Sequence, residues 1–423
     1  MESWILKGQI CYSAGRRSRV CVQDGFLVCI CGVCQGVFHT LPETYAGLPL
    51  FDYENQLIIP GLVDLHLHGP QYAYRGLGMD LELLDWLNTR TFPEEAKFQD
   101  LTYAQRAYEQ FALELKRSFT TRAVVFATAH TQATLLLMDL LEKTGVVTWV
   151  GRVNMDRNCP EDLREPDATV SLSETRRWLE AVDGRYSRTR PILTPRFAPA
   201  CSDALLEGLG KLSAELGLPV QSHLSENLGE VDLVQQLFPW SSCYAQVYER
   251  YGLLGGNQPC IMAHCVHSTE AELELFRNNR VYIAHSPESN MNISSGVAPV
   301  SQYLDLGLSV GLATDVAGGS SLSMLRAMAY AIQASKLRWR LMDQAVSPLT
   351  FDEAFYLATL GGGALFGQVG SFAPGFAFDA LVLDDRMLPT VLDLSIADRV
   401  ERLAYLGDNR CLTAKFVSGQ RVL

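Results

Sequence analysis

Six residues of this chain combine types and spacings that suit metal-assisted hydrolysis. His66 and His68 close the apolar run Pro60-Gly61-Leu62-Val63-Asp64-Leu65-His66-Leu67-His68. Side chains alternate along a strand, so both imidazoles point to one side and form half of a metal site. His223, His264 and Asp315 end three later runs of similar character, Pro219–His223, Cys260–His264 and Ser309–Asp315. Imidazole nitrogen together with carboxylate oxygen suits zinc or iron and leaves a position for water. The expected ligands are therefore His66, His68, His223 and Asp315, holding one divalent metal per subunit, zinc first and iron as the alternative. Such an ion makes water a nucleophile near neutral pH, and Asp315 stands where it can also take that water's proton.

Two further groups complete the chemistry. Glu226 lies three residues past His223 in His223-Leu224-Ser225-Glu226. From there a carboxyl reaches across the metal to a substrate nitrogen as general acid and base; a solvated surface glutamate is the competing reading. His264 either binds a second metal or hydrogen-bonds the nucleophile and the charge developing on the substrate. Two metals would call for a bridging lysine near the end of the fourth strand. That run, Leu193-Thr194-Pro195-Arg196-Phe197, holds Arg196 and no lysine, which favours one metal and the hydrogen-bonding role for His264.

These residues need a scaffold that brings distant strand ends together. Eight short runs recur: Ile58–His68, Ala123–Thr128, Val146–Met155, Pro191–Phe197, Pro219–His223, Cys260–His264, Val281–His285 and Ser309–Asp315. Stretches rich in Leu, Ala, Glu, Lys and Arg separate them, as in the segment beginning Ser202-Asp203-Ala204-Leu205-Leu206 and stopping near Gly217-Leu218-Pro219, with capping residues at both ends. Eight strands alternating with helices imply a (β/α)8 TIM barrel, with a doubly wound sheet as the rival architecture. Catalytic groups then belong at the C-terminal rim, and five of the eight histidines end a run, with His130 and His267 just beyond one. Residues 1–57 and 373–423 read instead as short strands and turns, so both termini are expected to build one small β-sandwich domain around a barrel of residues 58–372.

Composition narrows the class. With 423 residues, 48% hydrophobic and 19% charged, the chain reads as a globular enzyme of one large domain with a smaller appendage. A net charge of -12 argues against nucleic acid or an anionic membrane as partner. No apolar stretch reaches spanning length, and Met1-Glu2-Ser3 opens no signal or transit peptide, so a cytoplasmic protein is expected. The eleven cysteines are scattered and odd in number, which is no disulfide framework. Cys29-Ile30-Cys31-Gly32-Val33-Cys34 contains a C-x-x-C, yet no second pair follows nearby; packing is the expected role of the cluster. The zinc pattern H-x-E with a later P-C-x-x-C does not occur, nor does H-E-x-x-H.

The order H-x-H, His223, His264, Asp315 resembles the amidohydrolase superfamily, metal-dependent hydrolases on such barrels. Ile59-Pro60-Gly61-Leu62-Val63-Asp64 and Pro374-Gly375-Phe376-Ala377-Phe378-Asp379-Ala380 match its opening and closing motifs, with Phe376 and Phe378 where Lys and Ala are usual. Within it, the chain is similar to the guanine deaminase family from about residue 58 to 370. The similarity rests on His68-Gly69-Pro70-Gln71-Tyr72, Leu84-Asp85-Trp86-Leu87, Thr91-Phe92-Pro93-Glu94-Glu95, Thr194-Pro195-Arg196-Phe197, Ser222–Asn227, Met262-Ala263-His264 and Gly311–Gly319. Ser286 and Glu288 stand where that family often has Cys and Asn. The resemblance implies hydrolytic deamination of guanine to xanthine and ammonia, by a homodimer, with Gln71 reading the purine edge and Arg196 and Phe197 contacting the base. A deaminase or chlorohydrolase for another heterocycle would share the ligands and differ at Gln71 and Arg196. A catalytically silent scaffold would lack one of the five residues His66, His68, His223, Glu226 or Asp315, and all are present.

Overall fold

A computed structural model describes residues 3–423. Strands β1 (Trp4–Gly15), β2 (Ser18–Ile30), β3 (Val33–Phe38) and β4 (Leu50–Pro60) open the chain. The central part carries β5 (Leu62–His68), β6 (Thr120–Phe126), β7 (Val147–Gly151), β8 (Val153–Asn154), β9 (Thr189–Pro191), β10 (Thr194–Pro195), β11 (Val220–Leu224), β12 (Cys260–His264), β13 (Val281–His285) and β14 (Ser309–Leu312). The tail adds β15 (Ala380–Leu383), β16 (Leu412–Val417) and β17 (Gln420–Arg421).

The central strands form two parallel four-stranded arcs, β5-β6-β7-β9 and β11-β12-β13-β14, with β8 and β10 paired beyond the first arc. Main-chain groups meet at both junctions. Leu193 bridges to Val220, and Asp315 N–H and Val316 C=O bond His66 and His68 of β5 at 2.9 Å. This is a mixed α/β fold of the TIM-barrel type. Each of the eight expected runs holds a strand, but three are divided and Ser309–Asp315 is cut short at Leu312. The first breaks at Gly61, where a Cβ would fall 2.1 Å from the Thr121 hydroxyl, so only glycine lets the terminal sheet lie against β6. The runs Val146–Met155 and Pro191–Phe197 split into β7/β8 and β9/β10. Helices fill the intervals. Asp203–Leu216 begins where Ser202 Oγ accepts the Leu205 N–H and ends at Gly217 in the left-handed region, φ 65°.

Both termini enter a single seven-stranded sheet, β17-β16-β15-β4-β1-β2-β3. The expected sandwich is thus one hydrogen-bonded sheet, apolar on both faces where it meets the barrel. In β4, Leu57 and Ile59 enter the barrel core, while Ile58 joins Trp4, Leu27, Phe378 and Phe416 in a separate terminal core. Phe376 and Phe378, where the closing motif departs from its usual residues, pack in that terminal core. The buried pair Arg122–Asp379 (2.6 Å) ties β6 to the tail.

Candidate active site

The rim groups arise from strand ends and the turns that follow. His66 and His68 occupy alternate positions of β5, and His223 and His264 sit at or near the ends of β11 and β12, with Asp315 just past β14. Ser225, His264 and Asp315 adopt left-handed φ angles of 48°, 73° and 47°. Non-glycine residues in that region carry a cost and gather at functional sites, where the fold re-aims a side chain.

The ligand atoms converge. His68 Nε2 lies 3.2 Å from His66 Nε2 and 3.3 Å from His223 Nε2. Asp315 Oδ1 lies 3.0 Å from His66 Nε2 and 3.4 Å from His68 Nε2. Donors at about 2.0–2.1 Å from one ion would stand roughly 3–3.5 Å apart, so these separations fit a single metal. The hydrogen bonding agrees. His223 Nδ1–H donates to the Arg196 carbonyl at 2.6 Å, which leaves Nε2 with its lone pair toward His68. Facing lone pairs repel unless a cation lies between them. His66, His223 and His264 also offer ligand atoms within 4.8 Å of one another, as do His66, His68 and Asp315.

Electrostatics favour the metal-ready forms. Burial holds the imidazoles of His66, His68 and His223 below the usual histidine value, that of His68 at about 4. Burial works against ionised Asp315, but its contacts with His66 and then His68 and His264 keep its carboxyl well below the usual range. Neutral imidazoles and an ionised carboxylate are the forms that bind a metal. Glu226 differs: burial, then the charges of Glu230 and Asp315, push it well above the usual carboxyl value, so it is held as the acid. Ser295 Oγ donates to its Oε1 at 3.3 Å, and Ser295 C=O bonds His267 Nε2 at 2.7 Å. His264 Nε2 stands 3.5 Å from Glu226 Oε2 and 3.7 Å from Asp315 Oδ2, while Asn290 Oδ1 fixes its Nδ1 at 2.8 Å. His285 is buried too and lies outside both groups of ligand atoms.

A small cleft opens over this cluster. His68, His223, Glu226, His264 and Asp315 form its floor, and Gln71, Arg196 and Phe197 line it beside them. The expected ligands, Glu226, His264 and the three expected substrate-binding residues therefore meet in one place. Sequence reasoning missed two contributions. Leu83, Trp86, Leu87 and Ile293 supply apolar walls. Glu95, fully buried, accepts from Arg196 Nη1 (2.5 Å) and Nη2 (3.1 Å) and from Gln71 Nε2 (2.9 Å). Gln71 Oε1 accepts the Ala317 N–H at 3.2 Å, which fixes the orientation of its amide. Glu95 stands in Thr91–Glu95, a segment that stood out as a motif but carried no spacing cue to chemistry.

A histidine–carboxylate cluster at the C-terminal rim of a TIM-barrel-type fold, with a buried glutamate beside it, defines a metal-dependent hydrolase. Residues 57–422 match the Amidohydrolase family model, and the chain belongs to that family. Guanine deaminases are among the proteins it is similar to. A crystal structure of guanine deaminase from C. acetobutylicum, with guanine bound in the active site, matches with a TM-score of 0.97 and 43% identity over 100% of both chains. Guanine deaminase of Rattus norvegicus is 38% identical over 383 residues, 87% of this chain and 83% of its own. That of Dictyostelium discoideum is 37% identical over 381 residues, 88% and 84% respectively.

Proposed function

We propose that this chain is a guanine deaminase, converting guanine and water to xanthine and ammonia. The carrying observation is a cleft in which a metal-ready cluster, a buried glutamate and a fixed glutamine–arginine pair face the same space. The guanine-bound relative, similar along the whole chain, supports the substrate.

His66, His68, His223 and Asp315 would hold one divalent metal, zinc by preference and iron as the alternative. When bound, the ion lowers the pKa of water so that it attacks near neutral pH. The chain's own groups do the rest. Arg196 spends two of its five N–H donors on Glu95, and Gln71 one of its two. The remaining donors, with a free lone pair on Gln71, hold the purine edge, and Phe197 covers the base. Glu226 gives its proton to the ring nitrogen beside C2 as the carbon accepts water's oxygen. Asp315 takes the proton that water loses, His264 hydrogen-bonds the developing charge, and the proton passes to the departing amine. Wrong heterocycles leave buried donors unpaired, which costs orders of magnitude in rate.

The coarser features extend the same reading. A barrel of residues 58–372 enclosed by a small domain of residues 1–57 and 373–423 is consistent with the single terminal sheet. Among the described residues no helix is long and apolar enough to cross a membrane, and together with the charge of -12 this supports a cytoplasmic enzyme without nucleic-acid partners. A homodimer is the assembly the family resemblance suggests. Guanine turnover followed by absorbance, with xanthine and ammonia quantified, tests the function. Equal yields of the two products support it; inertness toward guanine while another amino-heterocycle reacts would overturn it.

A further inference from the structure

The terminal sheet holds a pair of thiols that deamination does not use. Cys11 of β1 and Cys21 of β2 are directly opposed in the antiparallel ladder, and their Sγ atoms are 3.6 Å apart. Directly opposed residues in such a ladder have Cα atoms about 4.5 or 5.5 Å apart, and both spacings fall inside the range of about 4.4–6.8 Å that a disulfide spans. A disulfide needs the sulfurs to close from 3.6 Å to about 2.05 Å. Their exposures differ in a useful way: Cys21 is open to solvent, while Cys11 is buried behind it.

We propose that Cys11 and Cys21 form a reversible thiol-disulfide site, with Cys21 as the entry thiol and Cys11 as the resolving one. With a small disulfide such as oxidised glutathione, the Cys21 thiolate attacks one sulfur and expels one glutathione thiolate, giving a mixed disulfide on Cys21. The Cys11 thiol, losing its proton, attacks the Cys21 sulfur and expels the second glutathione. Two protein thiols are oxidised to one disulfide, one glutathione disulfide is reduced to two thiols, and the protons end on glutathione.

The surroundings assign the order of attack. The Cys11 hydrogen bond, then Arg19 against the opposing effect of burial, brings the Cys21 thiol down to about 7, whereas Cys11 is pushed well up. Arg19 is also paired with Asp352 at 3.1 Å, so its charge is shared. Cys29 and Cys34 are opposed as well, but both are buried, and burial raises them to about 11 and about 12. Cys34 Sγ is engaged with the Phe372 carbonyl at 3.1 Å. The entry of an oxidant is thus expected at Cys21 and not at the buried Cys29–Cys34 pair.

The test is peptide mapping by mass spectrometry of the folded protein after incubation with oxidised glutathione at pH 7.5, with remaining thiols alkylated first. The expected result is a Cys11–Cys21 crosslink that dithiothreitol reverses. Cys11→Ser should instead accumulate a stable glutathione adduct on Cys21, and Cys21→Ser should lose both products. A crosslink between Cys29 and Cys34 alone, a lasting adduct on Cys21 in the unaltered chain, or no reaction at either thiol would overturn the proposal.

Discussion

Glu95→Gln isolates the device that holds the specificity residues. The carboxylate touches no part of the metal cluster, yet it accepts two bonds from Arg196 and one from Gln71, and the Arg196 and Glu95 side chains are only 3% and 1% exposed. Charge-assisted bonds contribute about 1.5–3 kcal/mol each and neutral ones about 0.5–1.5 kcal/mol. Loss of the charge from two guanidinium bonds therefore removes about 2–3 kcal/mol of positioning. The variant's new amide N–H₂ must also face one of three donors, so at least one of them turns away. At 1.4 kcal/mol per factor of ten, kcat/KM for guanine should fall by roughly 30- to 150-fold. The assay is initial-rate loss of guanine absorbance across substrate concentration, with metal content measured on the same preparation. Full metal occupancy with the predicted fall supports the positioning role. Unchanged kcat/KM, or a fall that tracks lost metal, would refute it.

Other substitutions probe separate parts. Glu226→Gln should retain metal and lose about 10²–10⁴ in kcat, the usual worth of a general acid; full activity would remove that role. His68→Ala should be purified with far less than one metal per chain, by elemental analysis, because it removes the imidazole that stands 3.2 and 3.3 Å from its two neighbours. Lys415, buried with Nζ donating to the Leu115, Lys116 and Ser118 carbonyls, gives a pH test. Burial lowers it to about 7 from the ordinary 10.5. Between these values the unfolded chain binds more protons, so this group's destabilising share is full below about pH 7 and fades as pH rises toward 10. The stability of the unaltered protein relative to Lys415→Met, from urea midpoints, should therefore increase across that window; a flat difference would contradict the burial argument.

The sequence carried the metal cluster well because strand ends are local signals. A period of two places His66 and His68 together, and short apolar runs ending in His223, His264 and Asp315 point to the same rim. The terminal sheet was less legible. Leu57-Ile58-Ile59 is apolar without alternation because its two faces serve different cores, so the run alone could not mark where the sheet ends and the barrel begins. Glu95 was invisible for another reason: its partners lie 24 and 101 residues away, and a buried glutamate in a helical segment looks like any surface one until the fold closes over it. Trp86 and Leu87 stood within the motif Leu84–Leu87, but their apolar side chains carried no cue to the cleft wall they build with Leu83.

The central claim is that one metal, held by His66, His68, His223 and Asp315, drives guanine deamination in this cleft. The most direct test is titration of chelator-stripped protein with zinc while ammonia release from guanine is recorded. Activity should return linearly and level off at one equivalent per chain, with xanthine formed in equal amount. Activity that survives complete stripping, or that rises only beyond a second equivalent, would contradict the account.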